Sequence, residues 1–247
     1  MKNAVLDRLR RGEGTHCAWL SLGSPAIAEM AAEAGAPAVV FDLQHGLWDR
    51  ASYEAGVGAV RGASVPLART ADASAFAIGS ALDAGALGVL VPMVDSAEIA
   101  AASVAAAHYP PRGHRSGGGV RPLADFAAYA AAAPREILVA PMVETLAAVD
   151  AADAIAAVPG VDLVFIGTGD LGLSLAASGR TDVTVEALCR QVLDACRRRG
   201  VPCGVFTPDA ATARARLAEG YRFAVAANDI DLNRRGLREA MRAARED

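Results

Sequence analysis

The sequence predicts an α/β protein built as a single (β/α)8 barrel of the TIM type, and three observations predict it. Eight short apolar runs alternate with longer segments of helical periodicity from one end of the 247 residues to the other. The runs are near-continuously apolar, as in a parallel sheet covered on both faces. Eight strand–helix units in a chain of this length is the barrel's count. An open doubly wound sheet is the alternative. No Pro/Gly/Ser-rich linker divides the chain, so one domain is expected over 1–247.

In order, "CAWLSL" (17–22) reads as the first strand, followed by a helix over 25–34. "AVVFDL" (38–43) leads into a helix over 50–61, and "VPLART" (65–70) into one over 74–84. "GVLVPM" (88–93) precedes a helix over 95–107, a proline- and glycine-rich loop over 108–119 and a helix over 124–133. "ILVAPMV" (137–143) is the fifth strand, with a helix over 145–157, and "VDLVFI" (161–166) is the sixth. After it the helix looks short, "LSLAAS", and Gly179 breaks it; a helix over 184–199 follows. "PCGVF" (202–206) with a helix over 209–219, and "RFAVAA" (222–227) with one over 230–245, complete the set.

Composition excludes several functions. A net charge of −4 without a long basic run argues against nucleic acid and anionic membranes. No apolar stretch is long enough for a signal segment or a membrane span. Four cysteines without a C-x-x-C pattern suit buried thiols in a reducing, cytoplasmic setting. The only lysine is Lys2, near the chain end. Schiff-base and pyridoxal chemistry needs an amine in a desolvated pocket, which this chain does not supply.

In such a barrel the chemistry sits at the carboxyl ends of the strands. The polar residues expected there are Asp42 and His45 after the second strand, Arg69 ending the third, Glu144 after the fifth and Asp170 after the sixth. "GTGDLG" (167–172) spells G-x-G-x-x-G, but lacks the long helix and the strand-end acid of a dinucleotide site. A plain tight turn is one reading. The preferred one is a loop whose glycines, Gly169 among them, let backbone approach a ligand while Asp170 points at it. Glu144 alone could be a helix-start acid; paired with Asp170 it makes an oxygen-rich site for Mg²⁺, Mn²⁺ or Co²⁺. A lone histidine is more often structural, yet the strand-end position of His45, with Asp42 near enough to orient its ring, suits a general base. In and just after the 108–119 loop, Arg112, Arg115 and Arg121 suit a substrate carboxylate, a partner subunit or plain solvation.

At these residues the sequence resembles the HpcH/HpaI family of metal-dependent pyruvate aldolases, over nearly the whole chain. "FDLQHG" is similar to its D-x-E-H-[AG] segment. "VLVPMVDSAEIAAASVAAAHYPPRGHRSGG" resembles its P-M-V…Y-P-P-x-G-x-R-G block, and "ETLAAVDAADAIAAVPGVDLVFIGTGDLGLSL" its E-T…F-I-G-P-x-D-L-S block. The resemblance implies a barrel of the phosphoenolpyruvate/pyruvate type, hexameric as a trimer of dimers, with the last helix exchanged between neighbours. It implies Glu144 and Asp170 as metal ligands, His45 backed by Asp42 as base, and Arg69 on the pyruvate oxygens. It also implies Asp83 as an acid near the subunit interface, joining Arg69 and Gly169 in substrate binding. The reaction implied is reversible cleavage of a 4-hydroxy-2-oxo acid to pyruvate and an aldehyde, through a metal-stabilised enolate. Oxaloacetate decarboxylation, CoA-ester cleavage and a non-catalytic keto-acid-binding barrel are the alternatives. Gln44, Met142, Gly79 and the "GTGDLG" stretch depart from the family pattern and bear on which aldehyde is accepted.

Overall fold

The computed structural model describes residues 2–245, so the expected domain's Met1, Glu246 and Asp247 lie outside the described residues. Helix α1 (Ala4–Arg10) precedes β1 (Thr15–Leu20), α2 (Pro25–Glu33), β2 (Ala38–Asp42) and α3 (Arg50–Val60). Then come β3 (Val65–Arg69), α4 (Ala75–Asp83), β4 (Gly88–Val91), α5 (Ala97–Ala107), α6 (Val120–Leu123) and α7 (Phe126–Glu136). The second half holds β5 (Leu138–Val143), α8 (Leu146–Asp150), α9 (Ala152–Ala156), β6 (Val164–Ile166) and α10 (Thr168–Ser178). It ends with α11 (Val185–Arg199), β7 (Cys203–Val205), α12 (Ala210–Glu219), β8 (Phe223–Asn228) and α13 (Asp229–Ala243).

The eight strands form one closed barrel in sequence order, all parallel. Pairing of β1 with β8, from Thr15 opposite Phe223 to Trp19 opposite Asn228, makes the closure and rules out the open sheet. Alternation along each strand divides the core in two. Trp19, Leu67, Leu90, Met142, Phe165 and Phe223 fill the interior, with the Trp19 and Phe165 rings stacked at 5.7 Å. Val39, Phe41, Val89, Val91, Val139 and Val143 face outward into the layer beneath the helices. Burial on both faces is why the strands read as unbroken apolar runs.

Helix starts follow local chemistry. Ser24, Asp49, Ser74, Ser96, Thr145, Thr184 and Asp209 each accept a first-turn backbone N–H, which stabilises each helix by about 1 kcal/mol. The structure adds α1, whose Val5, Leu6 and Leu9 join the interior cluster and close the amino end of the barrel. The helix expected over 145–157 is two short ones meeting at Ala151. "GTGDLG" is not a loop: Gly167 caps α10, and Gly169, Asp170 and Gly172 lie within the helix. Its end at Gly179 is where the sequence places a break. All four cysteines are free and buried. No described helix is long and apolar enough to cross a membrane.

Candidate active site at the carboxyl rim of the barrel

One half of the rim is organised by Asp42. Register pairs the ends of β2 and β3 so that Asp42 lies directly beside Arg69. The carboxylate is 2% exposed and takes two bonds from the guanidinium, Nε to Oδ1 at 2.8 Å and Nη2 to Oδ2 at 2.5 Å. The Ser21 hydroxyl and the Trp19 indole N–H also donate to Oδ2, at 3.2 and 3.3 Å. Trp19 further presents its face to the guanidinium carbon at 5.2 Å, a cation–π contact. Burial alone would raise the Asp42 pKa, but the Arg69 bonds and charge, with the His45 N–H and Trp19, hold it below the ordinary value. The pair is therefore ionised, and Arg69 is aimed rather than free.

Asp42 also shapes the turn that carries His45. Its Oδ1 accepts the backbone N–H of Gln44 and of His45, at 3.1 and 3.2 Å. The Gly46 N–H returns to the Asp42 carbonyl, and a Cβ at Gly46 would stand 2.2 Å from that oxygen. Only glycine fits. His45 is thus held by its backbone while its side chain is exposed at the rim. This corrects the expectation that Asp42 orients the imidazole: the carboxylate reaches His45 through the main chain, and its capacity is otherwise taken by Arg69, Ser21 and Trp19.

Across the rim, Glu144 follows β5 and is 1% exposed. Its Oε2 accepts the Met93 N–H at 2.8 Å, and among the described residues no donor reaches Oε1. Glu144 sits where a Cβ on Gly167 would be, 2.2 Å from Oε1, so glycine at the start of α10 is required for the carboxylate to enter. Burial raises the Glu144 pKa; the Met93 N–H and Arg69 oppose this, and the nearby charges of Asp170 and Asp42 add to it. Asp170 stands in the first turn of α10. A buried carboxylate with an unused oxygen, within the field of a second carboxylate, is short of positive charge and suits a divalent cation. No group of three or more His, Cys, Asp or Glu side chains gathers among the described residues. Two oxygen ligands fit a hard ion that keeps water or substrate in its other positions, not tetrahedral zinc.

The first N–H groups of α10, at Thr168, Gly169 and Asp170, have no intrahelical acceptor and receive no side-chain cap. They stand at the start of the helix that follows β6, where Gly169 is exposed.

Asp83 is elsewhere. It ends α4, a nine-residue helix that begins at the rim and descends the outside of the barrel by roughly 13 Å. There it pairs with the buried Arg115 at 2.6 Å, so within one chain it does not enter the site. Arg112, Arg115 and Arg121 are also occupied away from the rim. Arg115 packs against Tyr109 and Tyr129, Arg112 bonds the Pro134 carbonyl, and Arg121 bonds the carbonyls of Ala84 and Glu54. Of the departures, Met142 is buried in the barrel interior and Gly79 has open space around it. Gln44 has its amide oxygen buried without a partner.

Sequence reasoning missed Trp19, Ser21, Met93 and Asp229. Asp229, 2% exposed, accepts the N–H groups of Ser21 and Leu22 and so fixes the turn after β1. As an acid just past the last apolar run, it could have been found by the strand-end rule applied to the other five.

A model of the HpcH/HpaI aldolase/citrate lyase family matches residues 16–235. The chain is 31% identical to a hydroxypyruvate/pyruvate aldolase of Paraburkholderia phytofirmans, over 98% of each chain. It is 37% identical to a 4-hydroxy-2-oxovalerate aldolase of Rhodococcus jostii, over 93% of this chain and 91% of that one. The crystal structure of an HpcH/HpaI aldolase/citrate lyase family protein from Burkholderia cenocepacia superposes with a TM-score of 0.91 at 32% identity. That alignment covers 99% of this chain and 100% of the other.

Proposed function

The chain belongs to the HpcH/HpaI aldolase/citrate lyase family and is a carbon–carbon lyase of the aldolase type, and from that premise we propose a reaction and roles for its residues. The reaction is reversible cleavage of a 4-hydroxy-2-oxo acid into pyruvate, or a related 2-oxo acid, and an aldehyde. The observation that carries it is a rim with an arginine clamped on one side and a carboxylate pair short of positive charge on the other.

Glu144 and Asp170 are the residues that would hold Mg²⁺, Mn²⁺ or Co²⁺. Bound there, the ion supplies positive charge for the carboxylate and keto oxygens of the 2-oxo acid. Arg69, locked in direction by Asp42, binds an oxygen of the keto acid and stabilises negative charge as the C3–C4 bond breaks. The free amides of Thr168 and Gly169 suit the substrate carboxylate. His45, on its Asp42-anchored turn, takes the C4 hydroxyl proton and returns it in the synthetic direction. Asp42 is a positioning residue in this scheme. Asp83 lies outside the single-chain site and would reach a substrate only across a subunit contact.

Two further assignments are part of the same reading. A homo-oligomer, as a trimer of dimers, is supported by α13, which leaves Leu232, Leu237 and Met241 exposed at 46, 63 and 56%. Sedimentation velocity should give a species larger than one 25.2 kDa chain, and Leu237→Glu with Met241→Glu should shift it toward monomer. A cytoplasmic location is supported by four free thiols, all buried.

The test of the central reading is chelation. Protein stripped with EDTA should keep its circular dichroism spectrum, because the barrel core does not use the carboxylate pair. It should lose aldol activity and regain it with Mn²⁺, Mg²⁺ or Co²⁺, with products from a panel of aldehydes plus pyruvate identified by mass. Full turnover after confirmed ion removal would overturn the assignment.

A further inference from the structure

Met93 carries the only positive φ of any non-glycine among the described residues, 55°. An L side chain at that angle crowds its own backbone, and a bulky residue adopts it only where the surroundings hold it there. Side-chain packing does not account for it, since Met93 is 45% exposed. What the angle achieves is to turn the Met93 N–H toward Glu144, which it meets at 2.8 Å.

The neighbouring residues clip the same loop in place. The Val94 N–H donates to the Met142 carbonyl at 3.2 Å, and the Thr145 hydroxyl donates to Asp95 at 2.6 Å. Met142 and Thr145 flank Glu144. Three successive residues between β4 and α5 are therefore fastened around one buried carboxylate, and the strained one supplies its hydrogen bond.

We propose that Met93 is a positioning residue whose left-handed backbone holds Glu144 by Oε2, so that Oε1 is presented beside Asp170 to a divalent cation. The inference rests on the reading of Glu144 and Asp170 as ion ligands. The part of Met93 that matters is its backbone N–H and φ, and the side chain is dispensable.

Two substitutions separate backbone from side chain. Met93→Gly keeps the N–H and adopts positive φ without strain, whereas Met93→Val keeps the N–H but resists that angle strongly. Mn²⁺ affinity is read by calorimetry on full-length, ion-stripped protein, with its melting temperature alongside. The glycine variant should bind Mn²⁺ within about twofold of wild type, because the required angle costs it nothing. The valine variant should bind about 10–100-fold more weakly, the usual loss when a group that orients a metal ligand is removed. A purely structural role would lower both melting temperatures and leave both affinities unchanged, which would overturn the proposal. So would a glycine variant as impaired as the valine one. Should the valine variant not fold, the α-hydroxy analogue of methionine at position 93 replaces the N–H with an ester oxygen while keeping the side chain, and unchanged Mn²⁺ affinity there is likewise fatal. If wild type binds no Mn²⁺, the ion reading fails first and takes this proposal with it.

Discussion

Asp42→Ala is expected to lower folding stability by about 3–5 kcal/mol and to remove nearly all aldol activity. The carboxylate is 2% exposed and its partner side chain 11%, so the substitution leaves a guanidinium charge buried over Trp19 without its bonded counter-charge. It also strips an acceptor from Ser21, from the Trp19 indole and from the Gln44 and His45 amides. Activity falls for a separate reason: Arg69 loses its direction and the turn carrying His45 loses its anchor. Asp42→Asn keeps the volume and one acceptor oxygen, so it should be less destabilised while still losing most activity. The pH dependence follows from the lowered Asp42 pKa. A depressed carboxylate contributes stability that is full above its unfolded value of about 3.9 and is lost as pH falls through the lower folded value. The gap between wild type and Asp42→Ala should therefore be widest near neutral pH and narrow in strong acid. Urea unfolding at several pH values measures it. A gap below about 1 kcal/mol at pH 7, the range of an exposed ion pair, would show that the pair is not the buried anchor described.

How much of this was legible beforehand depended on the kind of signal. The eight strands were readable because a sheet buried on both faces leaves unbroken apolar runs, and Asp42, Arg69 and Glu144 were readable as the polar residues that end them. Their pairing was not, since β2 and β3 could be aligned at several registers and only the observed one sets Asp42 beside Arg69. "GTGDLG" reads as a loop in sequence because a glycine lowers helix propensity by about 1 kcal/mol in a helix interior and the stretch holds three. The closely packed Glu144 carboxylate needs the first of them, and the helix forms regardless. Met93 stands in the P-M-V match, but its conformation gave no signal, because methionine has no preference for positive φ and the angle is imposed by the contact it makes. Asp83 was placed in substrate binding through family resemblance, and the length of α4 carries it to the other end of its own barrel. α1 is seven residues with three buried apolar positions, too short to stand out until the barrel floor it closes is known.

The same geometry divides the chemistry between the two sides of the rim, and single substitutions should separate them. Glu144→Ala and Asp170→Ala should abolish every reaction that passes through the pyruvate enolate, because each removes one of two ligands from a site that has no third among the described residues. Both variants should fold. Asp170 is only half-buried in a helix first turn, and removing Glu144 takes away a buried carboxylate whose burial already disfavours its charge. His45 has a narrower task, moving the C4 hydroxyl proton from its exposed position on the turn. A positioned acid–base group contributes about 10²–10⁴-fold. His45→Ala should lose aldol cleavage by that factor. Decarboxylation of oxaloacetate yields the same enolate but has no C4 hydroxyl to deprotonate, so the histidine variant should retain much of any such activity that wild type shows. Both rates are to be measured on the same preparations at saturating Mn²⁺, with Mn²⁺ binding checked for each variant. Wild-type aldol cleavage by His45→Ala would remove it from the proton path. Equal loss of both reactions with the ion still bound would mean that His45 acts on the enolate itself, as Arg69 is proposed to do.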